Sequence, residues 1–138
     1  MRARSSALLA ASFAFALAAC AGTGTGAAII PTYQIVRGPI AAAPGHSLVT
    51  RDIVLAPGGL VPLHYHHGEE FLAVIGGSAT LERPGMPDLV LQAGEGVRIP
   101  PATVHAAKAG PDGLRAVASW VLPDGKPLRE AAPAGGER

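Results

Sequence analysis

Between residues 33 and 128, short apolar runs are broken by glycine and proline at regular intervals, and this spacing limits the fold more than any other feature of the sequence. The region shows no sustained helical periodicity, whereas short apolar runs bounded by turn residues are typical of strands. The sequence therefore predicts one all-β domain, a sandwich or barrel. The predicted strands are residues 47–55, 70–75, 78–82, 89–92, 96–99, 104–107 and 115–122, with a hairpin turn at ERPGMPD.

The N-terminus carries the pattern of an export signal. Arg2 and Arg4 precede an apolar run at residues 7–19 that is too short to span a bilayer, so residues 1–19 are predicted to be a signal peptide. The sequence LAAC at its end resembles the lipobox of bacterial lipoproteins, in which small residues precede a cysteine that is lipidated and becomes the new N-terminus. This resemblance implies a lipidated Cys20 and a periplasmic protein anchored to a bacterial membrane, and Ala21 favours the outer membrane. Ordinary signal-peptidase cleavage near the same place is the alternative, and it also exports the chain.

The segments on either side of the domain are predicted to be loosely structured. Residues 20–32 indicate a flexible tether, because no strand-helix unit surrounds their glycines as a dinucleotide-binding fingerprint would require. Residues 129–138 are predicted to be a loose C-terminal tail. The formal net charge of +1 gives no sign of a nucleic-acid surface, so the expected membrane contact is the lipid anchor alone.

Histidines and glutamates are dense in the segment PLHYHHGEEFLAVIGG. His64 and His66 are two residues apart and would point to the same face of a strand, and Glu70 has the same parity. Nitrogen and oxygen donors in this mixture suit Fe, Mn, Ni, Co, Cu or Zn better than calcium or magnesium. His67 and Glu69 have the opposite parity and are predicted to be exposed.

A fourth ligand has to come from another part of the chain, which offers two further histidines. His46 lies in the turn sequence APGHS and is more often simply solvated. His105 lies in IPPATVHAAKAG, where two prolines lead into a predicted strand, and an inward side chain is plausible there.

These residues make the sequence resemble the cupin superfamily, in particular its small single-domain members. The first cupin motif, Gly-x5-His-x-His-x3-Glu-x6-Gly, is matched at every fixed position from Gly58 to Gly77. The second motif, Gly-x5-Pro-x-Gly-x2-His-x3-Asn, is matched by Gly94, Pro100 and His105 but has Ala102 and Ala109 in place of Gly and Asn. The resemblance covers about residues 33–128.

The resemblance implies a small jelly-roll-like β-barrel that holds one divalent transition metal through His64, His66, Glu70 and His105. Four protein ligands around an octahedral ion would leave two positions for water, dioxygen or a chelating substrate. Ala102 is expected to cost little if its φ is negative. Ala109 replaces an asparagine that is not a metal ligand. Some cupins keep the barrel without a metal, and that alternative stays open.

The residues around the cluster suggest the character of the pocket. Parity places Leu72 and Val74 beside Glu70, and Ala107 beside His105, so an apolar pocket is expected. Arg51 and Arg98 are candidates for pairing with a substrate carboxylate, although each would more often lie at a rim or outside. Trp120 is predicted to be core packing.

The leading interpretation is an exported metal-dependent dioxygenase that acts on a small enol, diketone or flavonol-like substrate, with Glu70 as a possible base. The first alternative is a lipoprotein that binds or senses a metal or small ligand without turnover. The second is a metal-dependent isomerase or epimerase, which a lumen poor in polar side chains disfavours. A homodimer formed through edge strands is also expected, because a small open barrel leaves edges to cover.

Overall fold

The computed structural model describes residues 36–133, which form eight strands that pair antiparallel throughout. The predicted all-β class is confirmed. The predicted signal peptide, lipidation site and tether lie outside the described residues. The strands are β1 (Val36–Pro39), β2 (His46–Leu55), β3 (Leu60–Tyr65), β4 (Glu69–Glu82), β5 (Leu89–Gln92), β6 (Gly96–Ile99), β7 (His105–Pro123) and β8 (Glu130–Ala131).

The two longest strands, β4 and β7, pair along most of their length and join the two halves of the domain. Their register runs from Glu69 opposite Val121 to Glu82 opposite Ala106, with irregularities on β4 between Val74 and Ala79. On one side of the irregularities the pair is flanked by β1, β2 and β6, and on the other side by β3, β5 and β8.

Both halves contribute to one apolar core. Alternation along β4 buries Leu72 and Val74, and the same alternation along β7 buries Ala116, Ala118 and Trp120. These inward rows meet Val49 from β2 and Leu91 from β5 in a single cluster. Because residues i and i+2 of a strand share a face, two long strands supply most of the core from alternate positions.

Several predicted strands are parts of longer ones. Residues 70–75 and 78–82 belong to β4, and residues 104–107 and 115–122 to β7, so their division was wrong. The glycines that suggested a break instead permit the irregular pairing, since Gly77 adopts φ +67° opposite Leu114. The predicted turn at ERPGMPD is confirmed: it joins β4 to β5, and Met86 N–H donates to Arg83 O at 3.0 Å.

The predicted loose C-terminal tail, residues 129–138, includes a paired strand and is therefore not loose throughout. Glu130 and Ala131 form β8, which pairs with Tyr65 and His64 of β3. The short strand lies in a stretch rich in proline and charge, and its pairing partner is distant in sequence, so no local pattern indicates it.

Within residues 36–133 no helix is long and apolar enough to cross a membrane. The strand β1 pairs only with β2, and therefore has one free edge in this part of the chain. Dimerisation through such an edge stays a prediction.

Gly68 lies between β3 and β4, where the chain passes close to β7. A Cβ atom at this position would be 1.8 Å from the carbonyl oxygen of Val121, which is backbone and cannot swing aside. Only glycine therefore permits this approach of the turn to β7.

We expect Gly68→Ala to destabilise the fold by about 1–3 kcal/mol, because the added methyl group must displace β7. The measurement is denaturant unfolding of metal-free protein. Gly38→Ala is the matched control, because a Cβ there has nothing within 4 Å. Equal midpoints for the two variants would show that the turn does not depend on the close approach.

Candidate metal centre

Four buried side chains from separate parts of the fold converge near the junction of the two halves. Their possible donor atoms all lie within 4.8 Å of one another. His64 on β3 stands directly opposite His105 on β7, His66 follows β3, and Glu70 is near the start of β4. Each residue is no more than 8% exposed. We call His64, His66, Glu70 and His105 the four-donor cluster.

The distances within the cluster match those expected of ligands to one ion. His64 Nε2 is 3.1 Å from His66 Nε2. Glu70 Oε2 is 3.0 Å from His66 Nε2 and 3.1 Å from His105 Nε2. Donor atoms about 2.1 Å from one ion and at right angles to each other are about 3.0 Å apart.

Backbone carbonyl groups orient all three imidazoles in the same way. The Nδ1–H of His64 donates to Pro62 O at 2.8 Å, that of His105 to Thr103 O at 2.9 Å, and that of His66 to Leu128 O at 2.5 Å. A carbonyl oxygen only accepts, so Nδ1 carries the proton, and in the neutral ring Nε2 keeps its lone pair. Hydrogen bonds of this kind fix metal-binding histidines in proteins.

Burial sets the charges of the cluster. It lowers the pKa of His64 to about 4, against a raising effect of the Pro62 carbonyl, and the His105 and His66 rings lower it further. His64 is therefore neutral at pH 7. Burial alone would raise the pKa of Glu70, whereas hydrogen bonds from the His105 and His66 rings, which need a proton on Nε2, lower the pKa to about 2.

Burying the four-donor cluster without a cation is energetically unfavourable, because it leaves polar atoms without partners. These unsatisfied atoms are the evidence that the cluster fits a metal ion. Glu70 Oε2 is buried and accepts no hydrogen bond of good geometry from residues 36–133. The His64 and His66 lone pairs face each other across 3.1 Å, with no proton between them when both rings are neutral. A divalent ion would satisfy these donors together, so the four-donor cluster could hold a metal ion.

A cavity of about 270 Å³ opens on the cluster. Leu72 and Ala107 line it, as predicted from parity, whereas Val74 is buried in the core and does not. Trp120 is 4% exposed and is core packing as predicted, but it also lines the cavity with its ring 5.3 Å from the His66 ring. Most of the remaining lining is aliphatic, from Ile53, Leu55, Val61, Leu81, Ile99, Leu114 and Leu128.

The two candidate arginines have different positions. Arg51 lines the cavity. Arg98 stands opposite the outward-facing Phe71 and forms an ion pair with Glu69, so it does not enter the lumen. His67 lies beside Glu130, with 2.5 Å between Nε2 and Oε1, and neither His67 nor His46 belongs to the four-donor cluster.

A short C-terminal segment, residues 128–131, supports the site and was missed by the sequence reasoning. We call it the C-terminal strap. Leu128 O accepts the hydrogen bond from His66, and Ala131 pairs with His64. Glu130 accepts a hydrogen bond from the Tyr65 hydroxyl at 3.0 Å. A backbone acceptor has no residue-type signal, so the sequence could not reveal this contact.

Ala102 departs from the expected backbone conformation. Its φ is +59°, in the left-handed region, where the β-carbon of a non-glycine residue is crowded. The expectation of a small cost depended on negative φ and therefore does not apply. The conformation directs Ala102 N–H to His66 O at 2.8 Å, so the turn before β7 is tied to the chain beside the cluster.

Comparison with known proteins identifies a matching family. The family model described as a cupin domain matches residues 51–121. A cupin-like protein from Thermotoga maritima is 26% identical with a TM-score of 0.59, over 72% of this chain and 73% of that chain. Oxalate decarboxylase from Bacillus subtilis is 20% identical with a TM-score of 0.56, over 63% of this chain and 24% of that one. The DMSP lyase DddQ from Ruegeria pomeroyi is 22% identical with a TM-score of 0.55, over 69% and 47%. Oxalate decarboxylase and DddQ are similar to this chain in fold. The search of curated proteins found no match.

Metal-free protein is expected to lose stability as the pH falls from about 7 to about 4. Folding depresses the pKa of His64 from 6.5 to about 4, so the unfolded chain binds more protons in this interval and acid favours unfolding. The contribution, on the order of 3 kcal/mol, is complete above pH 6.5 and lost by about pH 4. Denaturant unfolding in the presence of a chelator measures it.

His64→Gln should flatten this pH dependence, whereas His46→Gln, outside the cluster, should retain it. An unchanged slope in His64→Gln would show that another group carries the effect.

Proposed function

Because this chain belongs to the cupin family, we propose that it binds one divalent transition-metal ion through the four-donor cluster and acts on a small oxygen-bearing molecule in the adjoining cavity. The single observation that supports this most strongly is the convergence of three Nε2 atoms and an unsatisfied carboxylate oxygen. The family was predicted from the two motifs around His64 and His105, and that prediction is confirmed by the match over residues 51–121.

The proposed reaction is dioxygenation of an enol, diketone or flavonol-like substrate. When bound, a redox-active ion would supply the Lewis acidity and electron transfer that this chemistry requires. The four donors would hold the ion and leave positions for substrate, while the aliphatic lining would exclude water. Glu70 is suited to a ligand role, because a carboxylate oxygen of Glu70 lies within 4.8 Å of the histidine donor atoms of the cluster.

Binding without turnover is the second candidate function. Apart from the four donors, the charged residues lining the cavity are Arg51, Asp52 and Arg129, and Asp52 pairs with Arg115. No lysine, tyrosine, serine or threonine among residues 36–133 lines this cavity. The scarcity of acid-base groups favours a binding or sensing protein over an isomerase or epimerase.

We expect a protein beginning after Cys20 to hold about one transition-metal ion per chain after reconstitution, measured by elemental analysis. His64→Ala combined with His105→Ala should lose it, because half of the donors are absent. His46→Ala is the control and should retain the metal. An unloaded wild-type chain after reconstitution would contradict the proposed centre.

Oxygen uptake then separates the two functions in the metal-loaded protein. Dioxygenation requires oxygen consumption with an enol, diketone or flavonol, and its loss in the double variant. Saturable ligand binding with no oxygen consumption would support a binding protein and contradict the dioxygenase.

The location of the domain is a separate proposal, based on the signal pattern and the sequence LAAC. We propose that the domain is exported and held at a bacterial membrane through a lipid on Cys20. Cells supplied with labelled palmitate should incorporate label into the wild-type chain but not into Cys20→Ser, which removes the thiol that the lipid modifies. Equal labelling, or none in either, would contradict lipidation.

A further inference from the structure

A positively charged residue, Arg51, is exposed to solvent and lines the cavity that opens on the candidate metal centre. Register places Arg51 opposite Ala118 on β7, and Ala118 opposite Leu72 on β4. Directly opposite residues in antiparallel strands share a face, so Arg51 belongs to an inward row of the sheet. The adjacent inward row contains Val49, Trp120 and Glu70. Arg51 therefore stands one row from a member of the four-donor cluster, across β7.

The Arg51 guanidinium has no counter-ion within residues 36–133. The arginines of the outer face differ in this respect, because Arg98 pairs with Glu69 and Arg115 pairs with Asp52. Arg129, at the C-terminal strap, also lines the cavity without an ion-pair partner in the described part of the chain. Both arginines are exposed residues of the cavity lining, whose two carboxylates belong to Asp52, paired with Arg115, and to Glu70 of the four-donor cluster.

Trp120 forms an aromatic wall of the cavity beside the four-donor cluster. Its indole Nε1–H is buried and has no hydrogen-bond partner among residues 36–133, and the side chain lines the same cavity. The cavity, about 270 Å³, exceeds the roughly 150 Å³ in which benzene is accommodated.

We propose that this cavity selects small organic carboxylates, with Arg51 as the main carboxylate-binding residue and Arg129 assisting it. The inference rests on the proposed function, because it names the substrate class of the same site. Arginine suits this role because its planar donors can hold both carboxylate oxygens. The hydrocarbon part of the ligand would lie against the aliphatic lining, and a second oxygen would face the four-donor cluster.

Calorimetric titration with salicylate and salicylamide tests the proposal, because the two probes share a ring and a phenol but only salicylate is charged. In the wild-type chain, salicylate should bind at least tenfold more tightly than salicylamide. Arg51→Met should abolish most of this preference, and Arg51→Lys should keep part of it, since lysine retains charge but loses the two-pronged geometry. Arg98→Met is the matched control and should behave as wild type.

The titrations are made with both metal-loaded and metal-free protein, and metal content is measured separately. A missing metal would contradict the proposed function, while the preference for salicylate in metal-free protein still tests Arg51. Equal binding of the two probes, no binding of either at millimolar concentration, or an unchanged preference in Arg51→Met would overturn the carboxylate proposal.

Discussion

The pairing of β4 with β7 is the interaction on which the rest of the structure depends. Glu70 lies near one end of this pair, whereas His105 precedes Ala106, the partner of Glu82 at the other end. In a straight strand, Glu70 and Glu82 would be about 40 Å apart at roughly 3.3 Å per residue. The 3.1 Å between Glu70 Oε2 and His105 Nε2 therefore requires the pair to double back on itself. The irregular pairing around Gly77 permits this, so the same glycine region that unites the core also completes the site.

The site is a concentration of polar groups in a domain otherwise filled with aliphatic side chains. Each imidazole is fixed through Nδ1 by a backbone carbonyl, two of them local and that of Leu128 distant in sequence, which leaves little freedom for the rings to rotate away. Because the donors are already held in place, less conformational entropy is lost when an ion binds. The arrangement lowers folding stability, because burying a neutral histidine and a partly unsatisfied carboxylate is unfavourable when no cation is bound.

The donor set was largely predictable from sequence because strand geometry and motif spacing both determine it. The parity of His64 and Glu70 identifies inward positions, the local sequence favours His105 over His46, and the resemblance gives His105 as the fourth ligand. Arg51 and Arg98 were indistinguishable in sequence, since the face of each depends on its register with distant strands. The strap was invisible for a related reason: its contribution is a backbone oxygen and a two-residue pairing with β3. The left-handed Ala102 likewise follows from the turn that it closes, and its residue type argues against that conformation.

The C-terminal strap couples the end of the domain energetically to the four-donor cluster. His66 donates a hydrogen bond to Leu128 O through Nδ1, while its Nε2 faces the other donors. A ligand that fixes the His66 ring therefore also stabilises the paired conformation of the strap. By linkage, the paired strap increases the affinity for that ligand to the same extent. Ligand binding at the four-donor cluster should consequently change how firmly the C-terminal strap is held. A carboxypeptidase would trim a ligand-free molecule past residue 131 sooner than a ligand-bound one, and the resistance of the protein to this proteolysis would then depend on what its cavity holds.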